Sequence, residues 1–124
     1  MGEPHDYEIR MDIPYEPLEA IDLPTLVDGC RHDWFNQSLG RVNDSVVRLG
    51  IFEGEFHFHK HDREDEFFLV LSGRLLIDLE DRTVELTEHQ GMLVPRGVVH
   101  RTRSPERSVV LMIEGATVAP TGDE

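Results

Sequence analysis

An all-β fold, a sandwich or barrel, is what this sequence predicts, on three observations. From Ser45 onward, short runs rich in apolar and β-branched residues recur at roughly ten-residue spacing. Polar or glycine-bearing turns separate them. No stretch carries the 3.6-residue apolar repeat of an amphipathic helix. Eight strands are expected, and eight short strands of this kind close into a sandwich or barrel.

The first strand is Val46 to Phe52, broken by Glu53-Gly54, and the second is Glu55 to Lys60, which alternates aromatic and histidine. Phe67 to Leu71 reads as a fully buried run, stopped by Ser72-Gly73, and Arg74 to Leu79 follows up to the polar turn Glu80-Asp81-Arg82. Thr83 to Leu86, Met92 to Val94, Val99 to Arg103 and Ser108 to Glu114 complete the set. These elements place a barrel over residues 45–116, preceded by an arm (1–44) and followed by a tail (117–124) whose end is expected to be mobile. The arm holds four prolines, short extended pieces such as Tyr7 to Ile13, and one helical turn after Pro24. Its apolar residues, among them Leu18, Ile21, Leu23, Trp34 and Phe35, are too many for a disordered tail, so the arm is expected to dock on the barrel or on a partner.

With 124 residues the chain forms one domain with room for a core. Its formal net charge of −13 argues against nucleic acid and anionic membrane surfaces. No apolar run is long enough to span a bilayer, and the acidic N-terminus lacks a signal-peptide core. A single cysteine, Cys30, allows no internal disulfide and fits a reducing, cytoplasmic setting.

The chemistry is concentrated in Glu55–Glu66. His59 and His61 sit one residue apart, so a strand presents both on one face. Glu66 follows after four intervening residues and Gly73 after six more. The block Pro95-Arg96-Gly97-Val98-Val99-His100 adds a third imidazole. Three imidazoles and a carboxylate suit one divalent transition metal ion, such as manganese, iron, nickel or zinc. His57 shares the strand face of His59 and His61 and is the candidate catalytic base. Phe56 and Phe58 are expected on the opposite, outer face. Together with Leu18, Ile21 and Leu23 in the arm, they predict a homodimer that hides this apolar surface.

These residues resemble the cupin superfamily. Its first motif pairs His-x-His with a glutamate and a later glycine, here His59-Lys60-His61, Glu66 and Gly73. Its second, Pro-x-Gly-x-x-His, is met by Pro95 to His100. The likeness extends over nearly the whole chain to small single-domain cupins related to phosphomannose isomerase. It includes Asp65 to Gly73 and the late Pro120-Thr121-Gly122-Asp123. Departures fall at turns: Glu53 and His89 stand where glycine is usual, and Ser104 where asparagine is usual. The resemblance implies a double-stranded β-helix, or jelly-roll barrel, with a metal held inside by His59, His61, Glu66 and His100. It also implies a small-molecule substrate. The leading expectation is an isomerase, epimerase or lyase acting on a sugar or a small oxo or hydroxy acid. The alternatives are a metal-dependent dioxygenase and a non-enzymatic binding module.

Overall fold

The computed structural model describes residues 7–123; the outermost parts of the expected arm and tail, residues 1–6 and 124, lie outside the described residues. Its elements are β1 (Tyr7–Arg10), α1 (Leu23–Gly29), β2 (Trp34–Val42), β3 (Ser45–Glu55), β4 (Glu66–Ser72), β5 (Arg74–Asp78), β6 (Thr83–Thr87), β7 (Gly91–Val94) and β8 (Arg101–Gly115). They form an eight-stranded sheet in the order β1-β2-β3-β8-β4-β7, with β5 pairing both β6 and β8. This is the expected jelly-roll architecture. All pairings are antiparallel except β1 with β2. No described helix is long and apolar enough to cross a membrane.

The strand β8 organises the fold. Its second half, from Ser108, lies between β3 and β4, and its first residues, Arg101 to Arg103, pair with β5. Two strands were expected here, Val99 to Arg103 and Ser108 to Glu114. Instead one strand runs through: Gly54 pairs with Ser104 and Phe52 with Ser108, so the proline sits in a bulge where no ladder donor is required. Gly73 makes the turn from β4 to β5 at φ +89, where any Cβ would collide with Ser108 Oγ. The hydroxyl accepts the Arg74 N–H at 2.8 Å.

Alternation sorts the sheet into two faces. The inner face holds Trp34, Phe52, Phe68, Val70, Leu75, Ile77, Val110 and Met112. The outer face of β2 and β3 holds Phe35, Leu39, Leu49 and Ile51, and Leu23, Leu26 and Val27 of α1 pack over it. The helix starts where Pro24 suggested, with Thr25 Oγ1 bonded to Asp22 at 2.9 Å.

The strand β2 was not expected. Residues 34–42 read as part of the arm because their polarity hides the alternation. Asn36 and Ser38 point inward, yet they are polar because both accept hydrogen bonds from the buried Arg48 guanidinium, at 2.7 Å each. Phe35 and Leu39 point outward, yet they are apolar because α1 covers them.

Two further expectations change. Glu55 to Lys60 is not a regular strand: β3 ends at Glu55, and beyond it only a bridge between His59 and His100 remains. Phe56 N–H bonds to Thr102 O, and His59 exchanges both backbone bonds with His100. Three residues therefore advance on one side against two on the other. That bulge turns both Phe56 and His59 inward, so Phe56 is buried in the inner core and only Phe58 stays outside. The homodimer loses Phe56 and Leu23 as grounds, since the core of the same chain covers both.

Candidate metal centre

Three segments bring the four predicted ligands together. His59 and His61 lie on the segment after β3, Glu66 opens β4, and His100 immediately precedes β8. Two backbone clips hold the segments: the paired 2.9 Å bonds between His59 and His100, and Gly97 N–H to His61 O at 2.7 Å. One ligand atom from each of His59, His61, Glu66 and His100 lies within 4.8 Å of the others. His61, Glu66 and His100 are buried and His59 is half-buried.

The donor set fits a divalent metal ion. His59 Nδ1–H donates to His57 O and His100 Nδ1–H to Val98 O, each at 2.9 Å. Those bonds leave Nε2 of both rings as free electron pairs facing the cluster. His61 is buried with no hydrogen-bond partner for either ring nitrogen. Its Nε2 lies 3.4 Å from Glu66 Oε1, near enough for charge attraction but not aligned as a hydrogen bond. An orphaned imidazole here would be costly unless something fills the space.

Electrostatics favour the ligating forms of His59 and Glu66, and oppose that of His61. Burial holds the His59 imidazolium down to about 4, so the ring is neutral. Burial also opposes charge on His61, but the close negative charge of Glu66 outweighs it and raises the group. Burial alone would raise Glu66; the polar groups of His100, His61 and Glu114 close to it overcome this and hold the carboxyl far below its usual range.

Sequence reasoning missed the support behind Glu66. Glu66 and Glu114 are direct cross-strand partners, both on the inner face. Like charges so placed repel, and burial followed by the Glu66 neighbour drives Glu114 upward, toward its neutral form. Arg48, fully buried, lies 3.4 Å from Glu114 Oε2. The only trace in the sequence is a charged residue in each of two apolar strands, Arg48 and Glu114.

His57 does not enter the cavity. Its Nε2–H donates to Thr121 O at 2.7 Å, and its ring stacks on Phe56 with 4.4 Å between centroids. Other polar residues near the motifs are structural: Asp65 Oδ1 accepts the Arg96 N–H, Glu64 bonds Thr117, and Arg101 and Arg103 share Asp78. The space beside the ligands is only about 20 Å³, walled by Trp34, Phe52, Phe56, Phe68, Thr102 and Pro120. A larger groove of about 570 Å³ between the β5–β6 turn and β7 touches none of the four ligands.

Comparison with known proteins agrees with this geometry. The family described as "Cupin domain" matches residues 46–114. The Bacillus subtilis (strain 168) protein YdbB is 49% identical over 80 residues, covering 64% of this chain and 71% of that one. A mannose-1-phosphate guanylyltransferase of Sinorhizobium fredii (strain NBRC 101917 / NGR234) is 30% identical over 80 residues, covering 64% of this chain but 16% of the enzyme. A crystal structure of a cupin-2 domain containing protein from Shewanella frigidimarina superposes with a TM-score of 0.72 at 28% identity, covering 77% of this chain and 93% of that one.

Proposed function

Because this chain belongs to the cupin family, we propose that it is a metal-dependent enzyme acting on a small substrate that offers two oxygen atoms, a sugar or a small oxo or hydroxy acid, by isomerisation, epimerisation or elimination. The observation that carries the reading is the convergence of His59, His61, Glu66 and His100 within 4.8 Å. A manganese, iron, nickel or zinc ion bound there supplies a Lewis acid that polarises a carbonyl and acidifies the adjacent C–H. The chain's own residues orient and exclude water: the carbonyls of His57 and Val98 hold two imidazoles in the ligating tautomer, and the aromatic walls keep the site dry. The proton-moving role expected of His57 requires its bond to Thr121 to open first. Guanylyl transfer is not proposed, since the match to that transferase spans 16% of it.

Oxygenation is the second reading. The observation favouring it is the wall of Trp34, Phe52, Phe56 and Phe68, which suits an apolar or aromatic substrate better than a sugar. Metal analysis of untagged protein, then a substrate screen with that metal, separates the two: isomer formation by NMR supports the first and oxygen uptake the second. Protein that takes up no metal stoichiometrically overturns both. The proposal extends to a homodimer, supported by exposed Leu93 and Ile113 on either side of Phe67 on the outer face. Sedimentation should return twice the 14.3 kDa chain mass, and a clean single-chain mass rejects it.

Metal occupancy should fall as pH is lowered from about 8 to 5, because ligating imidazoles must be neutral. His61 sits above an ordinary histidine and meets the proton first; His59, held to about 4, remains neutral throughout. Without metal the two act in opposite directions on stability. The depressed His59 contributes fully above 6.5, and this is lost as pH falls toward 4. The raised His61 contributes fully below 6.5, and this is lost as pH rises through its folded value. Competition against a metal indicator at each pH reads the release; an affinity flat across the window would contradict the ligand set.

A further inference from the structure

The C-terminal segment was expected to be a tail, but it crosses the mouth of the metal cavity. Its base is anchored: Val118 is buried, Ala116 N–H bonds Asp44 O, and Val118 N–H bonds Gly115 O. Its tip, Pro120–Asp123, rests on the segment that carries two of the ligands. Asp123 N–H donates to Lys60 O at 2.8 Å, and Asp62 N–H donates to Asp123 Oδ2 at 2.6 Å. Thr121 O accepts the His57 bond. Gly122, at φ +100, lies so close to the ring side that an added Cβ would stand 2.5 Å from His59 Cβ. Pro120 completes the cavity wall.

The cavity beneath, about 20 Å³, has room for about one water molecule and none for a substrate. Something must move before a ligand reaches the metal. The floor cannot move readily: Trp34, Phe52 and Phe56 are buried, and Trp34 stacks on Phe52 at 4.1 Å and on Phe56 at 5.5 Å. The tip, in contrast, is exposed or half-buried and held by a few hydrogen bonds, the kind of segment that opens at low cost.

We propose that Pro120–Asp123 is a lid over the metal cavity, latched by Asp123 on Lys60 and Asp62 and by Thr121 on His57, and that its opening admits the substrate. The inference rests on the metal-site reading. Opening the lid also breaks the hydrogen bond between His57 and Thr121.

The test uses full-length protein loaded with Co²⁺ and needs no known substrate. Two rates are read at fixed pH: metal release to excess EDTA, and azide binding followed in the Co²⁺ visible spectrum. Asp123→Ala removes the acceptor for Asp62 N–H and should raise both rates about threefold to tenfold, the effect of one hydrogen bond. Asp123→Asn removes the charge but keeps an acceptor, and should stay within about twofold of wild type. Gly122→Ala, which pushes the tip off His59, should accelerate both rates by a second route and serves if Asp123→Ala lowers the melting temperature. Wild-type rates in both Asp123→Ala and Gly122→Ala overturn the lid. Asp123→Asn as fast as Asp123→Ala also overturns it, because charge near the metal and not the latch would then set the rates. Failure to load Co²⁺ stoichiometrically overturns the metal reading and the lid with it; normal loading with unchanged rates overturns the lid alone.

Discussion

His100→Ala lowers metal affinity by at least about a hundredfold and leaves a cooperatively folded protein. The magnitude follows from the ligand's place: loss of a group merely supporting a ligand costs about 10–100-fold, and loss of the ligand itself costs no less. His100 is 1% exposed, its Nδ1 is fixed on Val98 O, and its Nε2 lies 3.3 Å from Glu66 Oε1. The fold survives because the clip between positions 59 and 100 is made by backbone atoms, which alanine retains. The core it borders, Phe68, Val70, Leu75, Ile77 and Val110, is apolar and intact. The remaining cost, a small buried cavity, is about 1–3 kcal/mol. Indicator competition measures the affinity and far-UV circular dichroism the fold. Affinity within threefold of wild type would remove His100 from the ligand set.

Arg48→Ala destabilises the protein by ~3–5 kcal/mol, the cost of leaving buried partners of a deleted charge unpaired. For a domain of this size that is a fall in Tm of roughly 10–20 °C. The side chain is fully buried and holds three inward groups at once: Asn36 Oδ1 and Ser38 Oγ, each at 2.7 Å, and Glu114 Oε2 at 3.4 Å. Removing it strands all three and withdraws the one positive charge beside two buried carboxyls. Glu114→Gln should be far milder, within about 1 kcal/mol, because burial beside Glu66 already favours the neutral form of Glu114 and the amide keeps its shape and polarity. Thermal melts of the two variants decide the matter: equal losses would mean that Glu114 is ionised.

Much of the site was legible because it is short-range and chemically distinctive. His59, His61, Glu66 and His100 stand in two spaced blocks, and the structure brings all four together. Gly73 was legible too, since its turn tolerates no side chain. His89 shows the limit of such reasoning: it adopts φ +71 where the resemblance expects glycine, so the turn persists without the residue that signals it. What the sequence concealed depends on pairing across the sheet. Phe56 was placed outside by strict alternation, and a bulge opposite Arg101 reversed it. Strand β2 was hidden because its inward positions serve a guanidinium 10 and 12 residues away.

By itself, then, the sequence determined the class of fold, the positions of strands β3 to β7 apart from the extra strand read over Glu55 to Lys60, the helix after Pro24 and the four ligand candidates. Each of these rests on local pattern: period, turn chemistry, or motif spacing. Only the tertiary structure decided that Glu114 lies beside Glu66, that Arg48 sits against Glu114, and that the segment Pro120–Asp123 bonds to His57 and Lys60. Those contacts join residues 48 to 66 positions apart, the Asp123–Lys60 pair, 63 apart, being made between backbone atoms. No local periodicity encodes such separations; they follow from the register of β8 between β3 and β4, and register is settled only when the whole sheet closes.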